Sequence, residues 1–102
     1  GMGTRWGEGE IATLYVLSDY RDQGIGRRLL RASAAHLAAI GCASAMLWVL
    51  SDNHARFFYR HLGGRPVARE VIQVGGRAVE QTAIAWDPIE TLLDATAVSS
   101  RG

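Results

Sequence analysis

The chain has 102 residues, of which 48% are hydrophobic and 21% are charged, and its formal net charge is +1. This composition is typical of one globular domain. It excludes a disordered chain, a disulfide scaffold and a membrane span, which needs about 20 unbroken apolar residues. With 10 acidic residues against 11 arginines, the chain lacks a global field for a nucleic acid or an anionic membrane, so local geometry must bind any anion.

The first nine residues predict little structure, because four of them are glycine and they contain no apolar core of a signal peptide. Gly1 ahead of Met2 resembles the remnant of a removed tag. Cys42 is the only cysteine, which fits a reducing compartment. We therefore expect a cytoplasmic protein.

A strand and a long helix are predicted first. Residues 11–17 form a short apolar and β-branched run, which predicts a strand covered on both faces. Residues 25–40 show helical spacing, and Gly41 is a typical helix end. The predicted buried stripe is Leu29, Leu30, Ser33, Leu37 and Ile40, with Arg27, Arg28 and Arg31 outside it.

A second strand and a shorter helix follow. Residues 45–50 are apolar without a break, as in strands that are covered on both faces. This predicts a strand parallel to the first one, joined to it by the long helix. Asp52 and Asn53 are candidate N-caps of the next helix, which we expect to end at residues 63–64. Its predicted buried face consists of Ala55, Phe58, Tyr59 and Leu62.

In the last third of the chain the residue pattern changes from helical spacing to runs that are typical of strands. Residues 67–74 and 77–86 read as two strands joined by Gly75 and Gly76, a typical two-residue hairpin turn. Asp87 as a capping acid and Pro88 at the first helical position predict a short helix through Leu93. The predicted fold is therefore mixed α/β (α+β), with the order β-α-β-α-β-β, two main helices and a short C-terminal helix.

The loop at residues 21–26, between the first strand and the first helix, is the candidate anion site. Gly24 and Gly26 permit close approach to the backbone, and the N–H groups of a helix start attract a phosphate. A tight turn without a ligand remains the alternative. A dinucleotide fingerprint requires glycine where Leu29 stands, and a P-loop requires a lysine, which the chain lacks.

Residues 14–30 resemble the coenzyme-binding segment of the GNAT superfamily of acetyl-CoA-dependent N-acyltransferases. The family signature Arg/Gln-x-x-Gly-x-Gly/Ala is matched by the loop that runs from Arg21 to Gly26. The resemblance implies that loop N–H groups hold the coenzyme A pyrophosphate and that the preceding strand pairs with the pantetheine arm. The residues implied are Leu14, Tyr15, Val16, Arg21, Gln23, Gly24, Ile25, Gly26 and Arg27.

A second block, residues 53–64, resembles the family's Asn…Ala…Phe-Tyr…Gly segment. In the family the asparagine contacts the pantetheine and the tyrosine lies near the sulfur, which implies these roles for Asn53 and Tyr59. Asn53 is the only asparagine of the chain. The resemblance covers about residues 8–93 and implies acetyl-CoA as cosubstrate, an amine-bearing acceptor and no metal.

Acetyl transfer to an amine requires a donor to the thioester oxygen, a proton for the thiolate and a base for the amine. The resemblance implies Tyr59 as the acid, with core packing as the alternative, and the N–H of Val16 or a neighbour as the oxyanion donor. Glu10 is the candidate base, because some histone-type members carry a glutamate at this distance from the loop. Its alternative is an exposed strand-end carboxylate.

We expect structural roles for the remaining side chains that could bind a metal or act as a nucleophile. His36, His54 and His61 lack metal-ligand spacing, and Cys42 has no histidine at motif distance. Trp48 and Trp86 are expected in the core or in an interface. Arg27 and Arg28 have two open interpretations, a grip on the adenosine 3′-phosphate or a solvated helix face.

Family members carry further strands and a helix pair ahead of the matched segment, so the chain resembles the C-terminal coenzyme-binding half. The exposed apolar edge expected of such a truncated sheet predicts a homodimer. A non-catalytic coenzyme A binding module, or a fragment that needs a partner, is the alternative function. The expected single domain (1–102) consists of a lead-in (1–9), a coenzyme-binding unit (10–64), a hairpin (65–87) and a helix with tail (88–102).

Overall fold

The computed structural model describes residues 9–10 and 23–97. Its helices and strands confirm the predicted mixed α/β class. The strand predicted over residues 11–17 lies outside the described residues. The elements are β1 (Gly9–Glu10), α1 (Gln23–Ala39), β2 (Ala45–Leu50), α2 (Ala55–His61), β3 (Arg65–Val74), β4 (Arg77–Trp86) and α3 (Glu90–Ala95).

The described strands form one mixed sheet in the order β1-β2-β4-β3. β1 is parallel to β2, and Gly9 and Glu10 lie opposite Ala45 and Met46. β2 is antiparallel to β4, which is antiparallel to β3. Two parallel neighbours require a long crossover connection, and α1 lies within it.

The core lies between the helices and one face of the sheet. Alternate residues of β2, Ala45, Leu47 and Val49, pack there with Leu30 of α1 and Trp86 of β4. The other face of β2 also contributes to a cluster, in which buried Met46 and half-buried Trp48 pack with alanines of β3 and β4. β2 is therefore buried on both faces, as its continuous apolar run predicts.

The buried face of α1 differs from the predicted stripe. Leu30 and Ala34 are fully buried, whereas Leu29 is 40% exposed and Ile40 is 62% exposed. The predicted stripe is therefore correct at Leu30 and Leu37, which pack in the core, and wrong at Leu29 and Ile40, while buried Ala34 was not part of it. The predicted face of α2 is correct: Ala55, Tyr59 and Leu62 are buried, and Phe58 packs beside them.

Both main helices end as predicted, at glycines. Gly41 has φ 95° and Gly63 has φ 94°, conformations that favour residues without a Cβ. After α2, Gly63 N donates to Arg60 O (2.9 Å) and Gly64 N donates to Tyr59 O (3.0 Å). This is the double hydrogen bond of a Schellman motif, which brings the chain directly into β3.

The predicted hairpin is also confirmed. Gly75 and Gly76 have φ 57° and 80°, which fits a type I′ turn between β3 and β4. β3 begins two residues earlier than predicted, at Arg65, because a register shift between Pro66 and Ala68 lets the strand continue past the proline.

The start of α3 corrects the prediction. The helix begins at Glu90, and Ile89 occupies the N-cap without a side-chain hydrogen bond, so Asp87 does not cap it. Ile89 is buried, and its N–H donates to Ala43 O (2.7 Å) in the loop after α1. Burial of Ile89 and this long-range bond set the helix start, which local capping rules do not include.

Candidate active site

The starts of α1 and α2 define the candidate site. α2 follows the carboxyl end of β2. α1 ends shortly before the amino end of β2 and packs back along that strand through Leu30 and Ala34, which directs its start toward the same carboxyl edge of the sheet. Both helix N-termini therefore lie at that edge, which is where ligands bind in sheets of this kind.

Residues 23–26 form the first turn of α1 rather than a loop ahead of it. The prediction began the helix at Ile25, and the structure begins it at Gln23. The first four N–H groups of a helix have no partner within it, so these residues retain the donors expected of an anion site. Gly24 is exposed and a Cβ there would meet none of the described atoms within 4 Å, whereas Gly26 is buried.

Asn53 links the end of β2 to the start of α2. Its N–H donates to Leu50 O (2.9 Å), and its Oδ1 accepts from Ala55 N (2.8 Å), which confirms it as a capping residue. Its carbonyl accepts from Arg56 N (3.1 Å). These bonds hold the amide at the carboxyl end of β2, and no described residue bonds to Nδ2, which can act as a donor.

Tyr59 lies in the core. Its side chain is 2% exposed, and its ring meets Trp86 edge-on, with ring centroids 6.3 Å apart and planes at 87°. Burial raises the pKa of the Tyr59 phenol well above its ordinary value, because the anion would lose its hydration. Tyr59 is therefore a neutral hydrogen-bond donor across the physiological pH range, and it packs as the structural interpretation predicted.

Other predicted site residues are only partly covered. Glu10 is the second residue of β1 and lies opposite Met46. Leu14, Tyr15, Val16 and Arg21 lie outside the described residues.

The arginines of α1 have contacts that sequence reasoning missed. Arg27 Nη2 donates to Ala95 O (2.7 Å), and Arg31 Nη1 donates to Leu93 O (3.1 Å), both in α3. Their i, i+4 spacing places them on one side of α1, which was the available signal, but sequence alone does not show what lies opposite. Arg28 is exposed.

The histidines lie at the surface and the cysteine is partly buried. His36, His54 and His61 are exposed, and Cys42 is a half-buried free thiol. Within residues 9–10 and 23–97, no three histidine, cysteine or acidic side chains form a group suited to a metal ion. A cation–π contact was missed: Arg56 Cζ lies over the ring of exposed Phe57, 4.2 Å from its centroid.

A protein-family model matches the part of the chain that contains the crossover and α2. The model of the Acetyltransferase (GNAT) family matches residues 2–63, which is more than half of the chain. The chain belongs to the GNAT acetyltransferase family. The predicted resemblance is thereby confirmed, and the GNAT match includes both the first turn of α1 and the Asn53 to Gly63 segment.

Relatives of this GNAT chain include two curated bacterial proteins. It is 28% identical over 85 residues to the uncharacterized N-acetyltransferase YuaI of Bacillus subtilis (strain 168), covering 83% of this chain and 49% of that protein. It is 45% identical over 60 residues to the mycothiol acetyltransferase of Saccharopolyspora erythraea, covering 53% of this chain and 20% of that protein. The chain thus spans half or less of the curated relatives it matches.

A solved structure with a similar fold is Arabidopsis thaliana NAA60 in complex with a bisubstrate analogue. The TM-score is 0.66 at 25% identity, and the match covers 78% of this chain and 50% of that one. None of the helices in the described part of this GNAT chain is long and apolar enough to cross a membrane. Location in the cytoplasm stays a prediction.

Titration of Tyr59 tests its burial. The folded-state pKa lies above the ordinary value of about 10, so Tyr59 should contribute stability below that pH and lose it as the pH rises further. We expect the ultraviolet titration of the parent chain, minus that of Tyr59→Phe, to show no ionisation near pH 10 in the folded protein. A difference spectrum that titrates near pH 10 before unfolding would contradict the burial.

Proposed function

We propose that this chain binds acetyl-CoA at the carboxyl edge of the sheet, beside β1 and β2. It supports transfer of the acetyl group to a primary amine. The first turn of α1 carries the proposal: residues 23–27 would hold the pyrophosphate through backbone N–H groups. Gly24 supports it, because its exposed backbone has open space around it. Arg21 and residues 14–16 would hold the loop and the pantetheine arm, as the family resemblance implies.

Asn53 would bind the pantetheine arm with Nδ2. Its Oδ1 is engaged by Ala55 N, so the amide is oriented by the helix start before a ligand arrives. Asn53 and the first turn of α1 lie at the same sheet edge, which fits a long ligand that spans both helix starts. No metal takes part in this proposal.

The reaction is direct attack. The neutral amine nitrogen bonds to the thioester carbon, the carbon–sulfur bond breaks, and the thiolate gains a proton while the amine loses one. The N–H of Val16 or a neighbour would donate to the developing oxyanion. Tyr59 would donate its phenol proton toward the sulfur, and Glu10 would draw the amine proton through water.

A second candidate is a coenzyme A binding module without turnover of its own. The observation that favours it is length, since the chain spans about half of YuaI and of the NAA60 chain. In that case the acceptor wall would come from another polypeptide segment. Binding and turnover measured on the same preparation separate the two candidates.

Gly24→Ala tests the binding site. The added methyl has room in the described structure and alanine favours a helix, so stability should not fall. It would stand where the pyrophosphate approaches the backbone, so we expect the Kd for coenzyme A to rise roughly tenfold or more, or about 1.4 kcal/mol. Calorimetry measures both ligand affinity and enthalpy.

The control is Gly75→Ala at the hairpin turn, where an added methyl is also unobstructed. It should leave coenzyme affinity unchanged, despite a cost of about 1 kcal/mol for a side chain at positive φ. Gly26→Val is a poorer test, because Gly26 is buried and valine would disturb packing. Equal affinity of Gly24→Ala and the parent would contradict the site.

Tyr59→Phe tests the catalytic proposal. The substitution retains the ring that packs on Trp86, so fold and coenzyme affinity should hold. Loss of a positioned proton donor typically costs roughly 10²-fold in rate, and we expect that decrease in single-turnover acetyl transfer. An unchanged rate would leave Tyr59 as a packing residue.

We also propose a homodimer. β3 pairs with β4 on one side only among the described strands, and its Val67 and Val71 are 42% and 66% exposed. An apolar strand edge of this kind favours pairing with a second copy. Light scattering at micromolar concentration should give twice the mass of the 11.1 kDa chain, and a monomer would contradict the proposal.

A further inference from the structure

α3 ends in an unusual way, because two of its terminal carbonyls bond to another helix. The last four carbonyls of an α-helix have no partner within it. Leu92 O accepts from Thr96 N (3.0 Å) and from Thr96 Oγ1 (2.7 Å), and Asp94 O accepts from Ala97 N (3.3 Å). Leu93 O accepts from Thr96 Oγ1 at a longer 3.4 Å. Among the described residues, Ala95 O is therefore the one of the four without a donor from its own helix end.

Arginines of α1 donate to two of these four carbonyls, including Ala95 O. Arg31 donates to Leu93 O at 3.1 Å, and Arg27 donates to Ala95 O at 2.7 Å. Both bonds are charge-assisted, and the cations lie at the negative end of the α3 dipole. We call this pair of bonds the arginine clamp.

The clamp attaches α3 along α1 in the opposite direction. The start of α3 is tied to the loop after α1 through Ile89 N and Ala43 O (2.7 Å), and its end is tied to Arg27 in the first half of α1. Leu92 is fully buried between these attachments. α3 therefore forms a brace that runs from the end of α1 back toward its start.

The start of α1 needs such a brace. Its first turn contains Gly24 and Gly26, and each glycine lowers helix stability by roughly 1 kcal/mol relative to alanine. The same turn provides the N–H groups proposed to hold the coenzyme. Arg27 follows this turn directly, so its attachment to α3 limits how far the turn can fray.

We propose that the arginine clamp positions the first turn of α1 for the coenzyme, and that Arg27 is a positioning residue whose guanidinium does not bind the 3′-phosphate. This rests on the proposed coenzyme site. The Arg27 side chain is directed to Ala95 O, whereas Arg28, exposed on the next position, has no hydrogen bond within the described residues. Arg28 is therefore the better candidate for the 3′-phosphate.

The experiment compares coenzyme A with dephospho-coenzyme A, which lacks the 3′-phosphate, as ligands of the full chain. Arg27→Ala should weaken both by about the same factor, on the order of tenfold, because the pyrophosphate contacts are shared. Arg27→Lys, which can still donate to Ala95 O, should recover most of the affinity. Arg77→Ala removes the same charge in the hairpin and should change neither Kd.

Hydrogen exchange gives a readout that does not depend on the coenzyme. The N–H groups of residues 28–30 bond to the carbonyls of residues 24–26 in a regular helix. In Arg27→Ala their exchange should accelerate, while exchange of the β2 amides stays at the parent rate. Faster exchange throughout the chain would mean general destabilisation and would overturn the positioning role.

Two further outcomes overturn the proposal. If Arg27→Ala weakens coenzyme A but not dephospho-coenzyme A, Arg27 binds the phosphate directly. If neither affinity nor exchange changes, the clamp does not hold the turn. Failure of the parent chain to bind either ligand refutes the proposed function instead, and the exchange data still decide whether the clamp holds the turn.

Discussion

β2 pairs with β4 along its whole length on one edge and with β1 at Ala45 and Met46 on the other, and it is buried on both faces. The positions of the other elements follow from this. Its parallel neighbour β1 requires the crossover that contains α1, and its antiparallel neighbour β4 extends the sheet toward the hairpin. Val49 and Leu47 on one face meet the helices, while Met46 on the other face joins the second cluster. The starts of α1 and α2 consequently lie at one edge.

The same residues support packing and the proposed chemistry. Tyr59 is buried against Trp86, and Trp86 Nε1 donates to Leu62 O (3.2 Å) at the end of α2. Gly64 permits this arrangement, because a Cβ there would lie 2.8 Å from Trp86 Cζ2. Burial raises the pKa of the phenol and so keeps it protonated, and in the proposed reaction it would donate a hydrogen bond toward the sulfur.

Local signals predicted much of this architecture. The run at 45–50 matches β2, and Gly41, Gly63 and the Gly75–Gly76 pair end or turn the chain as expected. These features depend on backbone conformation or on burial of a short segment. Glycines signal the first and a continuous apolar run signals the second, so both can be predicted from neighbouring residues.

Features set by distant contacts were not predicted. In α1, the helical pattern did not distinguish buried Leu30 from Leu29, which is 40% exposed, and it did not include buried Ala34. The start of α3 depends on the contact of Ile89 with Ala43, and the arginine clamp depends on where α3 ends. The family resemblance supplied the site roles, which residue patterns alone left open between a phosphate site and an empty turn.

The most direct test of the central claim is a backbone amide NMR titration of the ¹⁵N-labelled chain with coenzyme A. We expect the largest chemical shift changes in residues 23–26, a further change at Ala55 N–H, which Asn53 caps, and none at the hairpin turn of Gly75 and Gly76. Largest changes in the hairpin, or saturable binding that leaves residues 23–26 unshifted, would contradict a coenzyme site at the start of α1.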